Sequence, residues 1–480
     1  MALPLGHRLP ELASTTAGSA ALTALAGLGL GAALAEKPLL IAAVAAAALA
    51  VIGFLVALER PAIAFAGLVA VVALAPVYAA PTFGPLLLLP GSAAAWLLAA
   101  ALAWRNFLTR GVIFRPNAVD YAVGAFVGLM AISIAFSKRG LPSEYVHIMF
   151  LWIGPYLAGR LLLGDTERPM VVLAGAFAVV TVGLAPIAII ESSGGSNPFL
   201  SFTYNSTESA IWGNQVDRFG QVRAEASFGH PIAFSMFAAV AALLSLAMAI
   251  NSQERSARLG WYAAAGVAVA IQAMALSRTG WVMLAVGIVM LAAVTVQGSA
   301  KQRIATLIGT TALVIFVTWL VMPTELQVLP GFESKSDQIF TSSGQYREAL
   351  LDRALEPGVL HLWGNPVNLV TPAVSGGTAT DNAYIILADT WGLIPTAALV
   401  AVAVALLILT WRLYAQRTAA LTILPIGAFT CMVALFFVAF ITQQQAMIWM
   451  LIGAAAAAGE KVATREPPPA QRPSSDLGRL

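Results

Sequence analysis

Charge is scarce in this chain. Only 10% of its 480 residues are Asp, Glu, Lys or Arg, and 59% are hydrophobic. Soluble domains carry about 25% charged residues, so the composition excludes an ordinary soluble domain and points to a polytopic membrane protein. Cysteine is nearly absent as well. Cys431 alone, inside an apolar run, excludes a disulfide framework and a thiolate metal site. Four scattered histidines, His7, His147, His230 and His361, argue against a His-built metal centre. No cofactor is implied. The net charge of +3 says little by itself, and no nucleic-acid partner follows from it. No internal repeat is evident, although many secondary transporters are built from repeats. No cleavable signal peptide is evident either; the first apolar run, 13–35, reads as a retained span.

What the chain has in abundance is apolar runs near the length that crosses about 30 Å of hydrocarbon. Spans are expected near 13–35, 38–58, 61–80, 86–104, 117–136, 142–163 and 169–190, and again near 228–250, 261–277, 280–297, 304–322, 382–410, 419–440 and 443–458. The fold class is therefore an all-α polytopic membrane protein of about fourteen spans (12–14) with two non-apolar insertions. The expected division is an N-terminal bundle over 1–190, a first insertion over 191–227 and central spans over 228–322. A larger insertion follows over 323–381, then C-terminal spans over 382–458 and a disordered tail over 459–480 that is rich in Pro, Ser and charge.

Lys and Arg set the orientation. With the N-terminus in the cytoplasm, the inner loops hold Arg105, Arg110, Arg115, Arg168, Arg255, Arg258, Lys301, Arg303, Arg412 and Arg417. The short outer loops hold only Lys37, Lys138, Arg139 and Arg278, and an even count of spans returns the C-terminus to the cytoplasm. Both insertions then face outward.

Four stretches could carry chemistry. In "QVRAEASFGHPIAFSMF", Arg223, Glu225 and His230 crowd the start of an apolar span. An interfacial arginine commonly snorkels to headgroups, and a lone histidine is more often a structural hydrogen-bonder than a base, but His230 has a side chain that can exchange a proton near neutral pH. Arg218 and Glu225 read equally well as solvated loop charges. In "LSRTGWVML", Arg278 breaks an apolar stretch at an expected Ser277–Gly280 turn; Glu144 and His147 begin another span on that side.

The third stretch, "TSSGQYREALLDRALEPG", predicts a short helix outside the bilayer. Ser342 and Gln345 form a capping box and Pro357-Gly358 the stop. Leu350, Leu351, Ala354 and Leu355 make one apolar stripe that contains Arg347, while Glu348, Asp352 and Glu356 lie opposite. A buried-side arginine needs an anion or a carboxylate. In the fourth, "DNAYIILADTWGLIP", Asp381 and Asn382 stand at the outer end of a long span, where Asp381 also suits a helix N-cap. Asp389 lies two turns further in, where a carboxylate needs a partner or a wet cavity.

Arginines gathered at the outer mouths of spans suit a phosphate, which guanidinium pairs bidentately at any working pH. A lipid-linked diphosphate is the natural ligand class for a site half in lipid and half in water.

In order along residues 220–410, these stretches resemble the O-antigen ligase and polysaccharide polymerase superfamily of bacterial envelope proteins. "RAEASFGHPIAFSMF" is similar to the family's arginine, then Phe, then a Pro-containing start of a span. "LSRTGWVML" is similar to its Ser-Arg-Gly helix start, and "SSGQYREALLDRALE" to the arginine-bearing helix of its main periplasmic loop. "DNAYIILADTWGLIP" resembles the ligase signature of His, Asn, nine residues and Gly; Asn382 and Gly392 have that spacing, but Asp381 stands where the ligases carry histidine. That departure favours a repeat-unit polymerase over a lipid A–core ligase.

The resemblance implies a metal-independent, inverting glycosyltransferase in the bacterial inner membrane, with its site facing the periplasm. The donor is an undecaprenyl-diphosphate-linked glycan and the acceptor a lipid-linked repeat unit, with chain-length regulators or export proteins as further partners. Arg223, Arg347 and Arg278 would bind the diphosphate; Asp381, with His230 in reserve, would act on the attacking hydroxyl; Asn382, Glu225 and Gly392 would support them. A ligase moving finished glycan, a lipid-linked oligosaccharide flippase and an inactive scaffold remain the rivals.

Overall fold

The computed structural model describes residues 58–77, 80–83, 86–136, 141–164, 168–202, 210–212, 217–218, 221–295, 349–364, 382–416 and 419–463, together with 56, 302, 308–309 and 370. Within them the protein is a mainly helical membrane protein. Its long helices are α1 (Pro61–Leu74), α2 (Pro90–Arg110), α3 (Ala118–Phe136), α4 (Leu141–Gly164), α5 (Pro169–Ser192) and α6 (Pro231–Asn251). They continue with α7 (Arg255–Met274), α8 (Arg278–Thr295), α9 (Ala383–Thr390), α10 (Leu393–Ala415), α11 (Ala419–Ala434) and α12 (Gln444–Ala463). Two antiparallel pairs, Thr82–Phe83 with Leu86–Leu87 and Asp217–Arg218 with Gln221–Val222, are the only strands among the described residues.

Among the described residues, six stretches are long and apolar enough to cross a membrane: α3, Pro142–Leu163 of α4, α5, α6, α8 and α10. Helix starts follow a shared local rule. Pro61, Pro90, Pro169 and Pro231 open α1, α2, α5 and α6, where the missing N–H is one the helix could not have bonded anyway. Pro155, Pro186 and Pro425 lie inside helices, which neighbouring helices make tolerable in a bilayer.

At the centre stands α6, apolar all round and buried along nearly its whole length against α5, α7, α8 and α11. Beside it, α4 and α12 form the most extensive helix pair. These two run in the same direction, because Trp152 donates to Gln445 at 2.9 Å, Tyr156 faces Gly453 and Arg160 pairs with Glu460. A Cβ at Gly159 would overlap the Met450 carbonyl, and one at Gly453 the Tyr156 carbonyl, so glycine is what lets the backbones meet. Phe126, Trp152 and Trp449 stack between α3, α4 and α12 with centroids 5.2–6.0 Å apart.

Polar residues collect at the two ends of this bundle. One end gathers the C-termini of α1, α5 and α7 and the starts of α6, α8 and α12. The other gathers the start of α3 and the last turns of α4 and α12.

Several expectations shift. The span expected over 382–410 is two helices, α9 and α10, parted at Trp391-Gly392, because the segment 361–364 docks into the break. Leu393 N donates to His361 O at 2.9 Å and Ile394 N to Leu362 O at 3.2 Å. Gly392 carries a φ of 101° there, and a Cβ would overlap Gly364 N and Leu362 O. α7 begins at Arg255 rather than 261, since Arg255 and Arg258 stay helical where the bundle ends. The turn expected at Ser277–Gly280 lies at 275–276 instead, and α8 starts at Arg278 itself.

The helix expected in the second insertion is present over 349–355 among the described residues, but its stripe is narrower. Leu350 and Ala354 are buried with Val359, Val370 and Ile385, whereas Leu351 and Leu355 are 49% and 78% exposed. The i, i+4 pair faces α9 and its neighbours turn outward.

Candidate functional site

The end of the bundle that gathers α1, α5, α6, α7, α8 and α12 holds the motif "RAEASFGHP". Residues 223–230 run across it almost wholly buried. Ala224 N donates to Met274 O at 3.0 Å, and Arg223 Nε donates to Ala275 O at 3.1 Å. Arg223 is only 8% exposed. Ala275 lies three residues before Arg278, so two arginines 55 positions apart in sequence are brought to one junction between α7 and α8.

Next along the segment stands Glu225, fully buried. Its main-chain N–H donates at 3.1 Å, and that of Ala226 at 2.9 Å, to Glu191 Oε2 at the last turn of α5. Asn197 donates to Ala226 O at 2.7 Å. Three carboxylate oxygens at this spot, Glu191 Oε1 and both of Glu225, have no hydrogen bond within ordinary geometry. Burial and then the neighbouring Glu191 charge push the Glu225 carboxyl up to about 8, against the opposing pull of Asn197 and Arg223.

Ser227 Oγ donates to Ala73 O at the end of α1, and Gln443 Nε2 reaches both Ser227 O at 2.7 Å and Ala75 O at 2.8 Å. Three non-glycine residues have positive φ among the described residues: Ala226 (47°), Leu276 (47°) and Thr442 (42°). Each lies next to one of these contacts. Left-handed conformations cost of order 1–3 kcal/mol each and cluster where the surrounding structure over-determines the backbone.

His230, expected as the reserve base, has a structural role here. It is the N-cap of α6, its Nδ1 accepting from Ile232 N at 3.2 Å, and its ring meets Trp212 edge-on at 5.9 Å. Burial, with Arg223 adding to it, holds the imidazole down at about 4, so it is neutral at pH 7 and a weak base. His147 is likewise an acceptor, its Nδ1 taking the N–H of Leu87 from the short strand pair at 3.3 Å.

Asn382 is the N-cap of α9, accepting from Tyr384 N at 3.0 Å and Ile385 N at 3.1 Å; that role was expected of Asp381. The start of α9 is tied to the end of α11, with Ala383 N donating to Leu435 O at 3.0 Å. The connection that follows, 435–443, leads directly to Gln443 and so to Ser227. Gly392 serves the backbone junction described above. Asp389, 1% exposed, accepts from Val370 N at 3.2 Å, which supplies a partner for a carboxylate inside a span. Arg347, Asp381 and the Ser342–Gln345 box lie outside the described residues, as does the side chain of Arg218.

Two groups of residues escaped the sequence reading. Glu191 sits at the boundary of the first insertion with nothing in the pattern to mark it. The glutamines of "ITQQQAMIW" are a signal that was there to find: at the mouth of an apolar helix, Gln443 ties α12 to α1 and the motif and Gln445 ties it to α4, while Gln444 bonds Ala439 O in the connection before it. At the far end, Arg160 pairs with Asp120 at 3.0 Å and Glu460 at 2.6 Å, and Tyr156 Oη donates to Asp120 at 2.5 Å. A cavity of about 150 Å³ lies at that end, between Asn117, Ala405, Leu409, Arg412 and Gly459, away from the motif.

The junction can therefore present cationic groups beside a buried carboxyl at the mouth of an apolar bundle. No family model, no curated protein and no solved structure matches the chain.

Proposed function

We propose that this protein is a glycosyltransferase of the bacterial inner membrane that polymerises lipid-linked repeat units at its periplasmic face. The donor is a glycan on undecaprenyl diphosphate, and the acceptor a sugar hydroxyl on a second lipid-linked unit. The observation that supports this reading best is the convergence of Arg223 and Arg278 on one helix junction, with the Arg223 guanidinium bonded to Ala275 O. Guanidinium groups in a partly dry site stabilise the charge that develops on a leaving diphosphate. The termini lie in the cytoplasm in this reading, as the distribution of Lys and Arg requires.

In the reaction, the acceptor oxygen attacks the anomeric carbon, the bond to the diphosphate breaks, and Arg223, Arg278 and Arg347 take up the released charge. Asp381 orients the hydroxyl and accepts its proton. His230 acts as the cap that aims the start of α6 rather than as a base. Deletion of the gene should leave single repeat units on undecaprenyl diphosphate and no polymer. Complementation with Arg223→Ala should leave the same accumulation at normal protein level. Long polymer retained on the carrier would instead mark a ligase, units trapped on the inner leaflet a flippase, and normal polymer from the Arg223 variant would overturn the reading.

A further inference from the structure

We infer that Glu191 is the positioning residue for Arg223: its carboxylate clamps the consecutive amides of Glu225 and Ala226 and so fixes the turn that presents the arginine. The arginine's role rests on the function proposed above; the clamp itself does not.

The argument begins with what the segment demands. Residues 223–229 are buried, and a buried main-chain N–H must find an acceptor. Ala226 is held at a φ of 47°, which an alanine does not adopt without help. Two successive N–H groups pointing the same way form a small anion-binding concavity. Glu191 Oε2 fills it, at 3.1 and 2.9 Å, from the last turn of α5, a helix more than thirty residues earlier in the chain. Asn197 pins Ala226 O from the opposite side at 2.7 Å. Arg223 is two and three residues away from the clamped amides, so the turn decides where its Cα stands.

The second carboxyl completes the device. Glu225 is buried beside Glu191, and among the described residues the charges of Glu191 and Arg223 and the amide of Asn197 act on it. Burial raises the Glu191 carboxyl too, against the pull of the two amides and Asn197, and a proton on Glu225 spares it a like charge at its side. Removing that proton sets two carboxylates together in a dry site, and the clamp loosens as pH rises.

The test uses the full chain in lipid nanodiscs, with hydrogen exchange of amides 221–229 and binding of inorganic pyrophosphate as readouts. Glu191→Ala should speed exchange in that segment at least tenfold and weaken pyrophosphate binding at least tenfold, while amides of α4 and α12 stay protected. Glu191→Gln, which keeps an acceptor oxygen, should restore most of both. Adding Ala226→Gly to Glu191→Ala should also recover slow exchange, because glycine holds the left-handed turn unaided. Unchanged exchange in Glu191→Ala, or no recovery by either rescue, would overturn the clamp. Faster exchange in Glu191→Ala alongside a wild-type protein that ignores pyrophosphate would uphold the clamp and count against the diphosphate reading instead.

Discussion

Arg160 Nε meets Asp120 Oδ1 at 3.0 Å with the two side chains 0% and 6% exposed. The same guanidinium reaches Glu460 at 2.6 Å and Arg115 O at 2.7 Å, and lies 4.8 Å from the Phe114 ring centroid. This knot locks α3, α4 and α12 at the end of the bundle away from the motif. Removing one member of a buried pair costs roughly 3–5 kcal/mol, because the partner is left charged and uncompensated. Arg160→Ala should lower stability by that order in a denaturant titration in detergent. A loss under about 1 kcal/mol would mean that the stacked aromatics and the glycine contacts carry these helices without it.

Gly392 should not tolerate a side chain. At a φ of 101° and in contact with Leu362 and Gly364, Gly392→Ala combines backbone strain with overlap, of order 2–3 kcal/mol. The segment 361–364 should then leave the break between α9 and α10. Limited proteolysis should cut it several-fold faster than in the unmodified protein, with α4 and α12 unaffected.

Glu225 sets a pH dependence whose sign can be worked out. Its folded-state value of about 8 lies above the ordinary 4.5, so the native protein binds the extra proton between those values. The stabilisation is fully present below pH 4.5 and is lost as pH rises towards 8. His230, held at about 4, acts in the opposite sense below pH 6.5, and the raised Glu191 acts in the same sense as Glu225, which leaves pH 6.5–8 as the window where the carboxyls act unopposed by His230. Thermal unfolding should fall across that window, and Glu225→Gln should flatten the fall.

Gln443 joins α1, α12 and the motif through a single amide. Replacing it by Leu leaves the Ala75 and Ser227 carbonyls without their donor. Side-chain hydrogen bonds between helices in membranes are worth about 0.6 kcal/mol on average and reach about 1.7. Gln443→Leu should therefore cost roughly 1–3 kcal/mol, read as a shift in the unfolding midpoint, and should speed amide exchange at residues 224–228.

The helices were largely legible beforehand because apolar length and proline position are local properties. Runs such as 118–136 and 231–251 announce themselves by composition, and Pro231 marks a start. The division at Gly392 was not read from the sequence: Asp389, Gly392 and Pro395 mark the place, but apolar residues flank them on both sides and the whole stretch has the length of one span. What breaks the helix is a separate segment, 361–364, whose carbonyls take the N–H groups of Leu393 and Ile394. The stripe over 350–355 failed for a similar reason. Periodicity alone did not say how wide a face the neighbouring Val370 and Ile385 would cover.

Roles within the motif divide along the same line. Residue types alone singled out Arg223, Glu225 and His230 as polar groups at the mouth of a span. Their surroundings then separated them: His230 became a neutral cap, Glu225 an acid raised by burial and then by Glu191, and Arg223 a neighbour of the α7–α8 turn. By itself the sequence determined a helical membrane protein with polar groups collected at the ends of its spans, because hydrophobicity and chain geometry act residue by residue. Only the tertiary structure decided which of those ends meet, and hence which carboxylate faces which amide. Such pairings join positions tens to hundreds of residues apart, and no local pattern encodes them.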